Sequence, residues 1–160
     1  MTTTTTKSSA NEKIQTIVEQ LIQAYWKEIE TVQNYLANSV NLVGVRAERV
    51  KKALEDEIED ELGHARQLAQ RIHVLGGQVP GSEQFDAEQS SLQPPDDPHD
   101  VASVVQGVID AEADAIQLYN RIIETCEGVD YATQDMCIEL LADEQGHERK
   151  FLDYRSEYES

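Results

Sequence analysis

Apolar residues return every three or four positions over four separate stretches of this chain, the period of a helix with one buried face. The first stretch carries Ile14, Ile17, Val18, Leu21, Tyr25, Val32, Tyr35 and Leu36. Ser9 and Glu12 stand ahead of it at capping-box spacing, so its helix is predicted to start near residue 10. Residues 2–9 are mostly Thr and Ser, and residues 1–9 read as a disordered tail ahead of one folded domain over 10–160. Asn41 to Arg46, with Gly44 inside, reads as a short turn. Val50, Leu54, Ile58, Leu62, Leu68 and Ile72 then predict a second helix from about Ala47 to Leu75, stopped by Gly76-Gly77.

From Gly76 to about Asp97 the periodicity is lost among Gly, Pro and polar residues. Asp97 and Pro98 read as the cap and first position of a third helix, which runs to about Glu127. Gly128 interrupts, Asp130 recaps, and a fourth helix continues almost to Ser160. The pattern is all-α, a four-helix bundle with short, long and short connections. Extended, the 22 residues from Gly76 to Asp97 reach roughly 70 Å, against roughly 42 Å for a helix of about 28 residues. The middle connection can therefore travel the whole bundle, which predicts up-down-down-up topology with a crossover between the second and third helices.

Glu-x-x-His occurs twice, as Glu61-Leu62-Gly63-His64 and Glu144-Gln145-Gly146-His147. Glu28 lies 33 residues before Glu61, and Glu112 lies 32 before Glu144. The midpoint of the first pair falls in the predicted turn at Gly44, and the midpoint of the second is Gly128. In an antiparallel hairpin, residues equidistant from the turn stand at one height, so each glutamate pair is level. Residues three apart on a helix share a face, which brings each histidine beside its glutamate. Carboxylates on core-facing stripes are costly unless a cation neutralises them. Four carboxylates and two imidazoles balance two divalent ions, and oxygen-rich ligands with two nitrogens suit iron, with manganese an alternative for one or both. Gly63 and Gly146 hold matching places in the two motifs, which points to the close approach of a bulky neighbour.

Charge sharpens this. Thirteen basic residues against 31 acidic ones give a formal net charge of -18, a poor match for nucleic acid and a good one for cations. No apolar run is long enough to cross a bilayer and no signal-peptide pattern is present, so a cytoplasmic location without a membrane partner is expected. Cys126 and Cys137 are the two cysteines, read as small buried hydrophobes with a redox pair as the alternative. His73 and His99 have no carboxylate at useful spacing and are read as structural. Asp60 is read as a solvated residue, with iron guidance as the alternative.

Glu28 to Tyr35, Asp60 to Ala65, Ala111 to Asp114 and Met136 to His147 together resemble the ferritin-like superfamily, most closely bacterioferritin and its haem-free relatives. The resemblance spans roughly residues 14–155. It implies that Glu61 and Glu144 bridge two irons, with Glu28 and His64 terminal on one and Glu112 and His147 on the other. Tyr35 would stand beside the metals as an electron or hydrogen-bond donor. Ferrous iron would be oxidised by dioxygen or hydrogen peroxide and stored or detoxified. The family's haem-ligating methionine follows the first motif glutamate; here that position is Leu62, and no haem is expected. Only 13 residues follow His147, fewer than the extra helix of 24-subunit shells requires, so the expected homo-oligomer ranges from a dimer to a 12- or 24-subunit shell. A di-metal peroxidase, catalase or oxygenase of rubrerythrin type without mineral storage is the alternative. A non-catalytic helical adaptor is the third reading.

Overall fold

The computed structural model describes the backbone of residues 3–158 and the side chains of residues 9–158. Four helices make it up: α1 (Thr3–Asn41), α2 (Glu48–Val74), α3 (Val101–Cys126) and α4 (Tyr131–Tyr158). Along α1 and just past its end the deeply buried row is Ile17, Leu21, Ala24, Glu28, Thr31, Tyr35, Asn38 and Leu42, alternating steps of four and three. On α4 it is Thr133, Cys137, Leu140, Glu144 and Phe151. Both rows carry a glutamate in the middle with mostly apolar residues on either side. The apolar parts gather into two clusters, one around Leu42, Val50, Val105 and Phe151 and one around Ile17, Leu68, Ile122 and Leu140. The carboxylates and imidazoles form a polar layer between these clusters.

Two elements begin elsewhere than the sequence pattern predicts. α1 is helical from Thr3, not from residue 10, so Ser9 and Glu12 lie inside it and do not cap it. Extending a formed helix fixes one residue per hydrogen bond gained, which is far less costly than nucleating one. The tail expectation for Met1 and Thr2 lies outside the described residues. α3 is capped by Asp100, whose Oδ1 accepts from the Ser103 N–H at 3.0 Å, and not by Asp97. Asp97 closes the preceding turn, accepting from the His99 N–H at 2.9 Å. Its carboxylate also stands 3.2 Å from His99 Nδ1, so His99 does have a carboxylate partner, on the surface.

The hairpins close as their glycines require. Gly44 sits at φ 102° and Gly128 at φ 67°, values that L side chains rarely adopt. Asp130 accepts from the Thr133 N–H at 3.1 Å and caps α4. Its two oxygens also accept from Nη2 of Arg71 at 2.9 and 3.1 Å, tying the end of α2 to the start of α4. Cross-bundle contacts set the directions. Tyr119 reaches Glu28 and Tyr35 reaches Glu112, so α3 runs against α1. Arg71 meets Asp130 and Lys150 meets Glu57, so α4 runs against α2. The topology is up-down-down-up.

The crossover climbs alongside α1. Phe85 packs on Trp26 with ring centroids 4.8 Å apart. The buried Glu30 carboxylate accepts from the N–H groups of Glu88 and Gln89 at 2.9 and 2.8 Å. The Asn34 amide donates to Gln89 at 3.1 Å, and Asn38 donates to the Leu92 carbonyl at 2.9 Å. On the other side a Cβ at Gly107 would come within 2.3 Å of the Ser91 carbonyl oxygen, so only glycine lets α3 lie this close. Polar residues of α1 thus supply hydrogen bonds to a loop that has no ladder of its own. Among the described residues no helix is long and apolar enough to cross a membrane.

Candidate metal centre

Glu28, Glu61, His64, Glu112, Glu144 and His147 meet at mid-bundle, contributed by all four helices. The four carboxylates are at most 2% exposed and His64 is 4% exposed. Ile58 and Leu62, which share the apolar period of α2, do not occupy its innermost row; Glu57, Glu61 and His64 do. Leu62 is 44% exposed and Leu36 is 55% exposed, so both lie outside the stripes the sequence assigned them.

Two groups of four can each present ligand atoms within 4.8 Å of one another: Glu28, Glu61, His64 and Glu144, and Glu61, Glu112, Glu144 and His147. Glu61 and Glu144 belong to both. His64 Nδ1 lies 2.9 Å from Glu144 Oε1 and 3.5 Å from Glu61 Oε2. His147 Nδ1 lies 3.1 Å from Glu61 Oε1 and 3.5 Å from Glu144 Oε2. The imidazoles stack with centroids 6.0 Å apart. Both oxygens of Glu61 and Nδ1 of His147 are buried without a properly directed hydrogen bond. Buried polar atoms in this condition cost several kcal/mol as a rule, and cations at the centre of the donor set would remove that cost. The residues fit two ions.

Two tyrosines close the layer. Tyr35 donates to Glu112 Oε1 and Tyr119 donates to Glu28 Oε1. Tyr119 is seven residues after Glu112, as Tyr35 is seven after Glu28, so carrying the spacing of the first half over to the second would have found it. Glu57 was also missed. Its carboxylate is 2.8 Å from His147 Nε2 and 2.7 Å from Lys150 Nζ. Asp60 and Asp143 lie outside, exposed, 3.9 Å from His147 Nε2 and 3.3 Å from His64 Nε2.

Protonation follows the crowding. Burial, then the charges of Glu144 and Glu61, push Glu28 well above the ordinary carboxylate range. Burial, then Glu61 and Glu144, does the same to Glu112. Burial also works against ionised Glu144, but hydrogen bonds from His147 and His64 prevail and hold it well below that range. Burial opposes a charged His64, yet Glu144 and Glu61 outweigh it and raise the imidazole to about 10. His147 is raised further, against the pull of burial, by Glu144, Glu57 and Glu61. Without ions, protons balance part of the charge.

Other sequence expectations fall outside this layer. Cys126 and Cys137 are buried free thiols in the lower apolar cluster, and burial pushes them up to about 11 and about 12. Nothing lies within 4 Å of a Cβ placed at Gly63 or Gly146, so the bulky neighbour expected there is not present.

A helical bundle with paired Glu-x-x-His helices and two further glutamates defines a dinuclear-carboxylate class of protein. The ferritin-like domain matches residues 18–159, and the chain belongs to that family. It is 27% identical over 141 residues to the DNA protection during starvation protein of Pyrococcus furiosus, covering 86% of this chain and 76% of that one. Its fold is similar to a ferritin-like, diiron-carboxylate protein from Bacillus anthracis, with a TM-score of 0.79, 22% identity, and coverage of 89% and 97%. It is also similar to a dodecameric thioferritin, the bacterioferritin-related protein of Bacteroides fragilis, with a TM-score of 0.77, 23% identity, and coverage of 95% and 94%.

Proposed function

We propose that this chain is a ferroxidase-type di-iron protein that oxidises ferrous iron with dioxygen or hydrogen peroxide for iron storage or detoxification. The carrying observation is Glu61, buried between His64 and His147 with neither oxygen in a properly directed hydrogen bond. Glu61 and Glu144, common to both groups of four, would be shared between the two ions. Glu28 and His64 would complete one position, and Glu112 and His147 the other. Oxygen-rich donors with one imidazole each and no thiolate favour iron, with manganese as a substitute. Iron held by these residues would supply the electrons that reduce the oxidant.

The chain's own part is to place and insulate. Tyr119 and Tyr35 fix the outer carboxylates, and the apolar clusters above and below exclude water. Exposed Asp60 and Asp143 stand at the outer nitrogens of the histidines, where a hydrated cation first meets the site. The Pyrococcus relative is a DNA protection protein. A chain carrying -18 is ill suited to grip DNA, so removal of iron and oxidant is the form of protection its charge allows. Leu36, Val40, Val43 and Val45 are exposed apolar residues around the first turn, which supports burial against further copies of the chain.

Ferrous iron added in air or with peroxide tests the proposal. Ferric absorbance should grow faster than in buffer, and Glu61→Ala should abolish the difference. A buffer-like rate, or a Glu61→Ala variant equal to the parent, overturns it. Native mass separates storage from simple oxidant removal: 12 or more subunits with retained ferric iron supports storage, and a dimer retaining none supports the rubrerythrin-type alternative.

A further inference from the structure

The two halves of the centre mirror one another closely. Glu61 answers to Glu144, His64 to His147, Asp60 to Asp143, and Tyr35 to Tyr119. The correspondence fails at two positions that meet. Four residues before Glu61 stands Glu57, and four before Glu144 stands Leu140; three after His147 stands Lys150, and three after His64 stands Gln67.

The outer nitrogens of the two histidines therefore meet different surroundings. His147 Nε2 is 2.8 Å from Oε2 of Glu57, a carboxylate only 4% exposed. The other oxygen of Glu57 takes the Lys150 ammonium at 2.7 Å. Asp60 adds a weaker contact at 3.9 Å from an exposed side chain. Among the described residues His64 Nε2 has only Asp143, at 3.3 Å, whose side chain is 61% exposed. A buried carboxylate with one oxygen on the imidazole and the other on a lysine cannot swing away without stranding a charge. It holds the proton on Nε2, directs the Nδ1 lone pair into the centre, and raises the basicity of that nitrogen. An exposed aspartate, free to exchange its partner for water, does this poorly.

We infer that Glu57, locked by Lys150, is a positioning residue that makes the two metal positions unequal. The His147 position retains its ion, and the His64 position exchanges its ion with solvent. This rests on the dinuclear reading above. It assigns the two ions different uses: the His147 ion stays as part of the centre, and the His64 position is where ferrous substrate arrives and ferric product departs.

The experiment is calorimetric titration of the metal-free protein with Co²⁺ under nitrogen. Two steps are expected, separated by about 10- to 100-fold in affinity, the range in which partners of metal-bound histidines act. Glu57→Ala should weaken the tighter step by about that factor and leave the weaker one in place. Glu57→Gln, which keeps an acceptor for Nε2–H but not the charge, should recover part of the loss. Lys150→Met removes a half-exposed side chain and should weaken the same step even if Glu57→Ala fails to fold. Circular dichroism melts accompany each variant. Two equal steps in the parent, or a tight step unmoved in the folded variants, overturn the inference and leave the dinuclear centre standing. Absence of any Co²⁺ binding overturns both.

Discussion

The phenol of Tyr119 donates to Oε1 of Glu28, joining α3 to α1 across the polar layer. Tyr35 returns the contact from α1 to Glu112. Each tyrosine thus holds the outer carboxylate of the opposite helix. Tyr119→Phe and Tyr35→Phe should each cost about 1–3 kcal/mol in the metal-free protein, because a buried acceptor loses its donor. They should also slow iron oxidation by loosening that carboxylate. Thermal melts and stopped-flow absorbance check this, and the double variant should depart from additivity because both pairs belong to one network.

Glu61→Gln should lower both stability and metal binding. In the metal-free protein Glu61 is a counter-charge standing between the two imidazoliums, and removing it leaves buried charge less compensated, so stability should fall by about 3–5 kcal/mol. Metal affinity should collapse, since the residue contributes to both groups of four. Denaturant unfolding with and without Co²⁺ shows both effects.

Metal binding should release protons. At neutral pH the metal-free site holds His64, raised to about 10, and His147, raised higher still, as imidazolium. Glu28 and Glu112 are pushed well above their ordinary range and so hold protons more readily than free carboxylates do. Ligation requires bare imidazole and carboxylate. The free protein therefore binds more protons than the loaded one, and affinity should climb with pH. The slope is about tenfold per pH unit for each proton displaced. Titration in buffers of differing ionisation enthalpy counts those protons directly.

Gly107→Ala should loosen the crossover. The new methyl would meet the Ser91 carbonyl, and the usual helix gain of about 1 kcal/mol would be outweighed by a clash costing about 1–3 kcal/mol. Gly63→Ala and Gly146→Ala meet nothing within 4 Å and should stabilise their helices by about 0.5–1 kcal/mol each. Amide exchange around Ser91 and denaturant melts distinguish the two cases.

The convergence of Glu28, Glu61, Glu112 and Glu144 was legible because level positions in a hairpin depend only on counting from the turn. The topology was legible because 22 non-periodic residues exceed what a tight connection uses. Glu57 was not legible, since its counterpart is Leu140 and a search for doubled features passes over a feature that occurs once. Asp97 and Asp100 offer the same capping chemistry three residues apart, and only the fold decides between them. The middle of α2 misled for another reason. Apolar Ile58 and Leu62 share the helix period with Glu57 and Glu61, and hydrophobicity alone assigns the inner row to the wrong set.

The long strap between the hairpins has a mechanical consequence. Anchored to Glu30, Asn34 and Asn38 on one flank and seated on Gly107 on the other, it keeps one hairpin from sliding lengthwise past its neighbour. Donor height is then set by peptide scaffolding and not by the cargo, so an emptied centre keeps its shape and is ready to refill.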